Sequence, residues 1–156
     1  MAEKLNRLGS KKLVYLGSVG TLLLSAIMIL LPVISASYGT MSESASLFES
    51  VDGPATLNTV LMLMLLGATA LSAMGLYTAK PFAKAHLIFG FIMRIIVLFL
   101  LIICYSYNAD KASFLPIDIG FTFAGWLLLL CCVGGFVLDI MSMGAFKRSK
   151  NATGLT

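Results

Sequence analysis

The chain has 156 residues, of which 59% are hydrophobic and only 12% charged, with a net charge of +4. Soluble domains carry roughly 25% charged residues, and so short a chain has no core large enough to hide this much apolar surface from water. A soluble globular protein is therefore excluded, and the basic balance points to membrane orientation rather than to nucleic acid.

Four apolar runs follow one another, at about 13–32, 57–78, 85–107 and 118–143. Each meets the ~20 residues that cross ~30 Å of hydrocarbon as a helix, the only spanning form these lengths allow. No alternating strand pattern is expected. The predicted fold is all-α: a single membrane domain, 1–156, with four transmembrane helices in an up-down antiparallel bundle.

The first run follows Ser10-Lys11-Lys12 and precedes Ser35-Ala36-Ser37, which has the look of a signal-peptide cleavage site. Its apolar stretch is longer than the 7–15 residues of a signal core, so it is expected to stay as an anchor. Segment 33–56 is then an outer loop, Ser-rich and acidic. Leu47, Phe48 and Val51 are expected to lie on the bilayer surface, and Asp52-Gly53-Pro54 to turn into the second helix.

Between the second and third runs, 79–84 forms a tight inner loop with Pro81 in the first turn of helix three. The second outer loop, 108–117, contains Pro116. Nine basic residues (Lys4, Arg7, Lys11, Lys12, Lys80, Lys84, Lys147, Arg148, Lys150) fall on the side of the termini, against Lys111 alone on the other. The positive-inside rule then puts both termini in the cytoplasm and the protein in the plasma membrane. Asn151-Ala152-Thr153 matches a glycosylation site but falls on the cytoplasmic tail. Lys11–Gly17 and Lys84–Gly90 repeat a lysine-to-glycine spacing at the start of the odd helices, a faint sign of duplicated hairpins.

Small residues mark the faces on which membrane helices approach each other. Helix one has Gly17, Thr21 and Ser25 in line, and helix two has Ala68, Ser72, Gly75 and Ala79. Helix four has Ala124, Cys131, Gly135 and Asp139. Helix three has only Gly90. Tyr15, Tyr77 and Phe146 fall at the inner boundary and Tyr38, Tyr105, Tyr107 and Phe114 at the outer one, the usual aromatic belt. Trp126 lies deeper and is expected to pack inside the bundle.

Arg94 and Asp139 are the two ionisable residues well inside apolar runs. Each lies roughly 12–15 Å along its helix from the inner-flank lysines, so the two share one depth. A mid-span charge costs ~2.5–3.5 kcal/mol on insertion scales unless it is paired or hydrated. Three readings stand: an ion pair between helices three and four, snorkelling toward the inner headgroups, or a polar group lining a path or gripping an anion. His86 shares the face of Gly90 and Arg94 and suits a headgroup contact.

The templates of catalysis are missing: no paired histidines for metal or haem, no phosphate loop, no Ser-His-Asp set and no CxxC. Cys104, Cys131 and Cys132 read as buried small hydrophobes. No enzyme, cofactor or metal is expected. The outline is shared with claudin-like proteins, small multidrug exporters and quinone-linked disulfide formers. The outer-loop tryptophan and cysteine pair of the first, the acidic residue in helix one of the second and the cysteine pairs of the third are absent, so no family is assigned.

The expected partners are the lipid bilayer, anionic headgroups at the inner face, and another membrane protein or further copies of the chain. The expected function is that of a subunit or assembly partner in a membrane complex. A small oligomeric channel, holin or transporter built around Arg94 and Asp139 is the alternative; a membrane-bound enzyme or a protector against a membrane toxin ranks below both.

Overall fold

A computed structural model describes the backbone of residues 2–54, 56–74, 80–113 and 116–152, and the side chains of 13–54, 56–74, 87–113 and 116–143. The chain is mostly helical. Helix α1 runs Ala2–Met28, α2 Thr56–Met74, α3 Lys80–Ala112 and α4 Phe123–Ala152. Three stretches, Thr56–Met74, Leu87–Ala112 and Phe123–Met143, are long and apolar enough to cross a membrane; the apolar part of α1, Leu13–Met28, is shorter.

The helices pack as a closed ring in which α1 and α3 each lie between α2 and α4. Leu22 and Ala26 of α1, Ile29 just past its end, Leu61 and Leu65 of α2, Val97 and Leu101 of α3 and Leu128 of α4 fill its interior. The outward faces are apolar as well: Leu23, Ile27, Leu63, Ile92, Phe99, Leu130 and Val137 are all exposed. A helix apolar on all sides belongs in lipid or in a larger core.

The fold differs from the all-α expectation in one layer. Strands β1 (Ile34–Tyr38), β2 (Met41–Ala45) and β3 (Asp118–Phe121) form an antiparallel sheet in the order β2-β1-β3 at one end of the ring. Tyr38 pairs with Met41 across a two-residue turn, Gly39-Thr40, in which Gly39 takes φ +58°. A glycine in the first central position is what a type II′ hairpin turn requires. The sheet then joins distant parts of the chain, with Ile34 opposite Phe121 and Ser37 opposite Asp118.

Several boundaries move as a result. Residues 118–121 are strand rather than the start of helix four, which begins at Phe123. Thr122 caps it, its hydroxyl accepting from the Gly125 amide at 3.1 Å and donating to the Pro32 carbonyl at 2.5 Å. An N-cap threonine satisfies an orphan amide of the first turn. Helix α3 extends past both ends of the run at 85–107 and takes up Asn108–Ala112, so the second outer loop is shorter than expected. At ~1.5 Å per residue its 33 residues outrun the hydrocarbon thickness.

The first outer loop is folded too. Leu47 is fully buried against the ring, with Phe48 and Val51 packed beside it, so these side chains join the core instead of lying on a bilayer surface. The cause is polar. Glu49 accepts from the Ser46 amide and hydroxyl through one carboxylate oxygen, folding the chain into the short 3-10 turn Glu49–Val51. Asn58, buried near the start of α2, donates to the Ser46 hydroxyl at 2.8 Å and accepts from the Phe48 amide at 3.2 Å. That lattice pins the loop to α2 and drives Leu47 inward. Trp126 is more than half exposed, its ring edge-on to Phe121 under the sheet, not packed inside the bundle.

Candidate functional site

Arg94, Asp139, Ser18 and Tyr15 gather at one level of the bundle interior, on the half of the ring opposite the sheet. Each is placed by helical periodicity. On α4, Cys131, Gly135 and Asp139 recur every four residues and face inward; on α1, Tyr15, Ser18, Leu22 and Ser25 do so at alternating intervals of three and four. Arg94 of α3 enters between these two stripes.

Its guanidinium bonds to three residues. Nε donates to Asp139 Oδ2 at 2.9 Å, Nη1 to the Cys131 carbonyl at 3.2 Å and Nη2 to the Ser18 carbonyl at 2.6 Å. The Ser18 hydroxyl donates to the other carboxylate oxygen of Asp139. Arg94 and Asp139 are each only 1% exposed. A buried charge pair is tolerable when its remaining donors and acceptors are also met, and here the carboxylate has a partner on each oxygen. One arginine thereby bonds directly to α1 and α4 from α3.

Room for it comes from α4. A Cβ at Gly135 would overlap the Arg94 guanidinium and approach the Thr21 hydroxyl to 2.7 Å. Gly90 has a similar role one turn earlier on α3, where a Cβ would meet Leu22 at 2.9 Å and the Ser72 hydroxyl at 3.4 Å. The remaining helix, α2, is tied in by Tyr15 of α1, whose hydroxyl donates to the Ser72 carbonyl at 2.6 Å. Tyr15 is thus buried between α1 and α2, not a member of an interfacial belt.

The other residues singled out from sequence divide as follows. Ser25 donates back to the Thr21 carbonyl at 2.8 Å and Thr21 to the Ser18 carbonyl at 2.9 Å, both within α1. Gly17 faces Leu138 of α4, and Ala68 and Ser72 are buried on α2. Gly75, Ala79, Tyr77 and Phe114 lie outside the described residues, as do the side chains of His86 and Phe146. Ser18 and Tyr15 were not expected in the cluster. The signal for Ser18 is its place one turn before Thr21 and Leu22, on the inward face of α1.

The three cysteines are free and buried. No group of three metal-ligating side chains occurs among the described residues. Chemically, a neutralised guanidinium ringed by acceptors is a clamp: it offers no vacant acid, base or nucleophile in the hydrogen-bonded set. No protein-family model, no curated protein and no solved structure matches the chain.

Proposed function

We propose that the chain is a non-enzymatic, four-span membrane protein that serves as a subunit or assembly partner of a larger complex through helix–helix contacts. Both termini lie on the cytoplasmic side of the plasma membrane, as the nine-to-one distribution of basic residues favours. The observation that carries the reading is the engagement of Arg94 by Asp139, Cys131 and Ser18. The strongest intramembrane polar group is used to hold the chain's own helices, and the outward helix faces are left apolar. Such faces meet lipid or the helices of another membrane protein.

The test is purification in a mild detergent with identification of co-purifying membrane proteins, followed by outward substitutions on α4. A stable, stoichiometric partner lost on Gly134→Leu supports the reading; a monodisperse chain without partner sinks it.

A second reading is a small oligomeric channel, holin or transporter. It draws on Ser142, one turn beyond Asp139, whose buried hydroxyl oxygen has no hydrogen-bond partner among the described residues. Flux through proteoliposomes of the pure protein that changes with Ser142→Ala would favour it over the subunit reading.

A further inference from the structure

The sheet has an open side. In the order β2-β1-β3, β2 is an edge strand, and its Met41, Ser42, Glu43 and Ser44 are all exposed. The register fixes which backbone groups are free for pairing. Tyr38 and Met41 close a two-residue turn and form a hydrogen-bonded pair, so Glu43 and Ala45 bond to β1 while Ser42 and Ser44 point their amides and carbonyls away from it. The Thr122 amide on the Val33 carbonyl, at 3.1 Å, fixes the same parity on the other side of β1. Natural edges are commonly blocked by proline, lysine, a bulge or a covering element, and β2 carries none of the first three.

The two faces of the sheet are chemically distinct. Ser35, Ser37, Ser42, Ser44, Asp118 and Gly120 share one face by register; Ile34, Ala36, Glu43, Ala45, Ile119 and Phe121 share the other. A cavity of about 210 Å³ beside β2 is lined by Ile34, Ala36, Glu43 and Ala45 of this face, by Ser44, and by Glu49, Ser50 and Asn108 from outside the sheet. The charge at this end of the molecule is one-sided. Glu43, Glu49, Asp52, Asp110 and Asp118 face a single cation, Lys111, and Asp52 already holds it at 2.7 Å.

We propose that the β2 edge is a docking strand for an extended basic segment of a partner protein. The added strand pairs with the outward amides and carbonyls of Ser42 and Ser44. Alternate side chains of such a strand fall on the cavity face, and a lysine or arginine there lays its stem along Ala45 toward Ala36 and its head between Glu43 and Glu49. Main-chain pairing supplies adhesion and the carboxylates supply selection, the division of labour of strand addition. This surface is independent of the helix faces and of the orientation of the chain.

The test uses the full-length protein in non-ionic detergent micelles, titrated with the alternating peptide Val-Lys-Val-Lys-Val-Lys and with its counterpart carrying Glu for Lys. Saturable binding of the lysine peptide alone is expected, weakening as salt is raised. Glu43→Gln should weaken it several-fold and Ser44→Pro at least tenfold. Proline at 44 removes an amide that points away from β1, so the fold survives, as an unchanged melting temperature will register. No saturable binding at about millimolar peptide, equal binding of the glutamate peptide, or indifference to Ser44→Pro overturns the proposal. Self-association of the protein that disappears in Ser44→Pro overturns the choice of occupant.

Discussion

Gly135 and Arg94 are complementary in shape: the hydrogen that α4 carries in place of a side chain at 135 leaves the volume in which the Arg94 guanidinium sits. Gly135→Ala therefore forces the arginine out of its bonds or the helices apart. Over-packing typically costs ~1–3 kcal/mol, and more if the ion pair opens. The neighbouring Gly134→Ala meets nothing within 4 Å and should be nearly neutral. Thermal unfolding of the two variants in one detergent is the check; equal melting temperatures would refute the packing argument.

Removing either charge leaves the other buried. Arg94→Leu and Asp139→Leu should each destabilise by ~3–5 kcal/mol, and the double variant should recover part of the loss. Additive losses in the double-mutant cycle would deny the direct coupling. Arg94→Lys is not a rescue, because one ammonium has no planar fork to serve α1 and α4 together.

Ser18→Ala takes the hydroxyl from Asp139 Oδ1. A buried carboxylate oxygen left without its donor costs ~1–3 kcal/mol. Ser25, whose hydroxyl bonds back within its own helix, is the control, and Ser25→Ala should cost much less. Steric-trap or denaturant unfolding in bicelles separates the two.

Thr122→Val keeps the volume and removes both the cap of α4 and the hydroxyl bond to Pro32. The expected loss is ~1–2 kcal/mol, concentrated at the sheet end. Hydrogen exchange at Gly125 should rise while amides near Asp139 stay protected; uniform change along α4 would contradict a local cap.

How much of this was legible in the chain depends on which interaction set each element. Counting residues from the inner lysines places Arg94 and Asp139 at one depth, since a helix has a fixed rise. Nothing in that count reveals Ser18 or the Cys131 carbonyl, because the rotation of α1 against α4 is decided by packing. The hairpin was written more openly than its mixed composition suggests: Ile34-Ser35-Ala36-Ser37-Tyr38 and Met41-Ser42-Glu43-Ser44-Ala45 place serine at every second position around Gly39-Thr40. The pattern is obscured because one face mixes apolar residues with glutamate. Strand β3 was hidden for another reason: its partner lies more than eighty residues away, and Asp118–Phe121 runs directly into an apolar helix. Leu47 was misplaced because its burial follows from Asn58 bonding to Ser46, a contact that no periodicity carries.

The contacts of Arg94 also impose an order of events. Asp139 follows it by 45 residues, and translation at ~5–20 residues per second delivers the acid several seconds after the base. Through that interval α3 has an arginine but not yet the carboxylate that pairs with it in the finished fold. Helix α4, the last to arrive, completes both the clamp and, through β3, the sheet. A chain interrupted before residue 118 thus lacks both the carboxylate that neutralises Arg94 and the strand that completes the sheet.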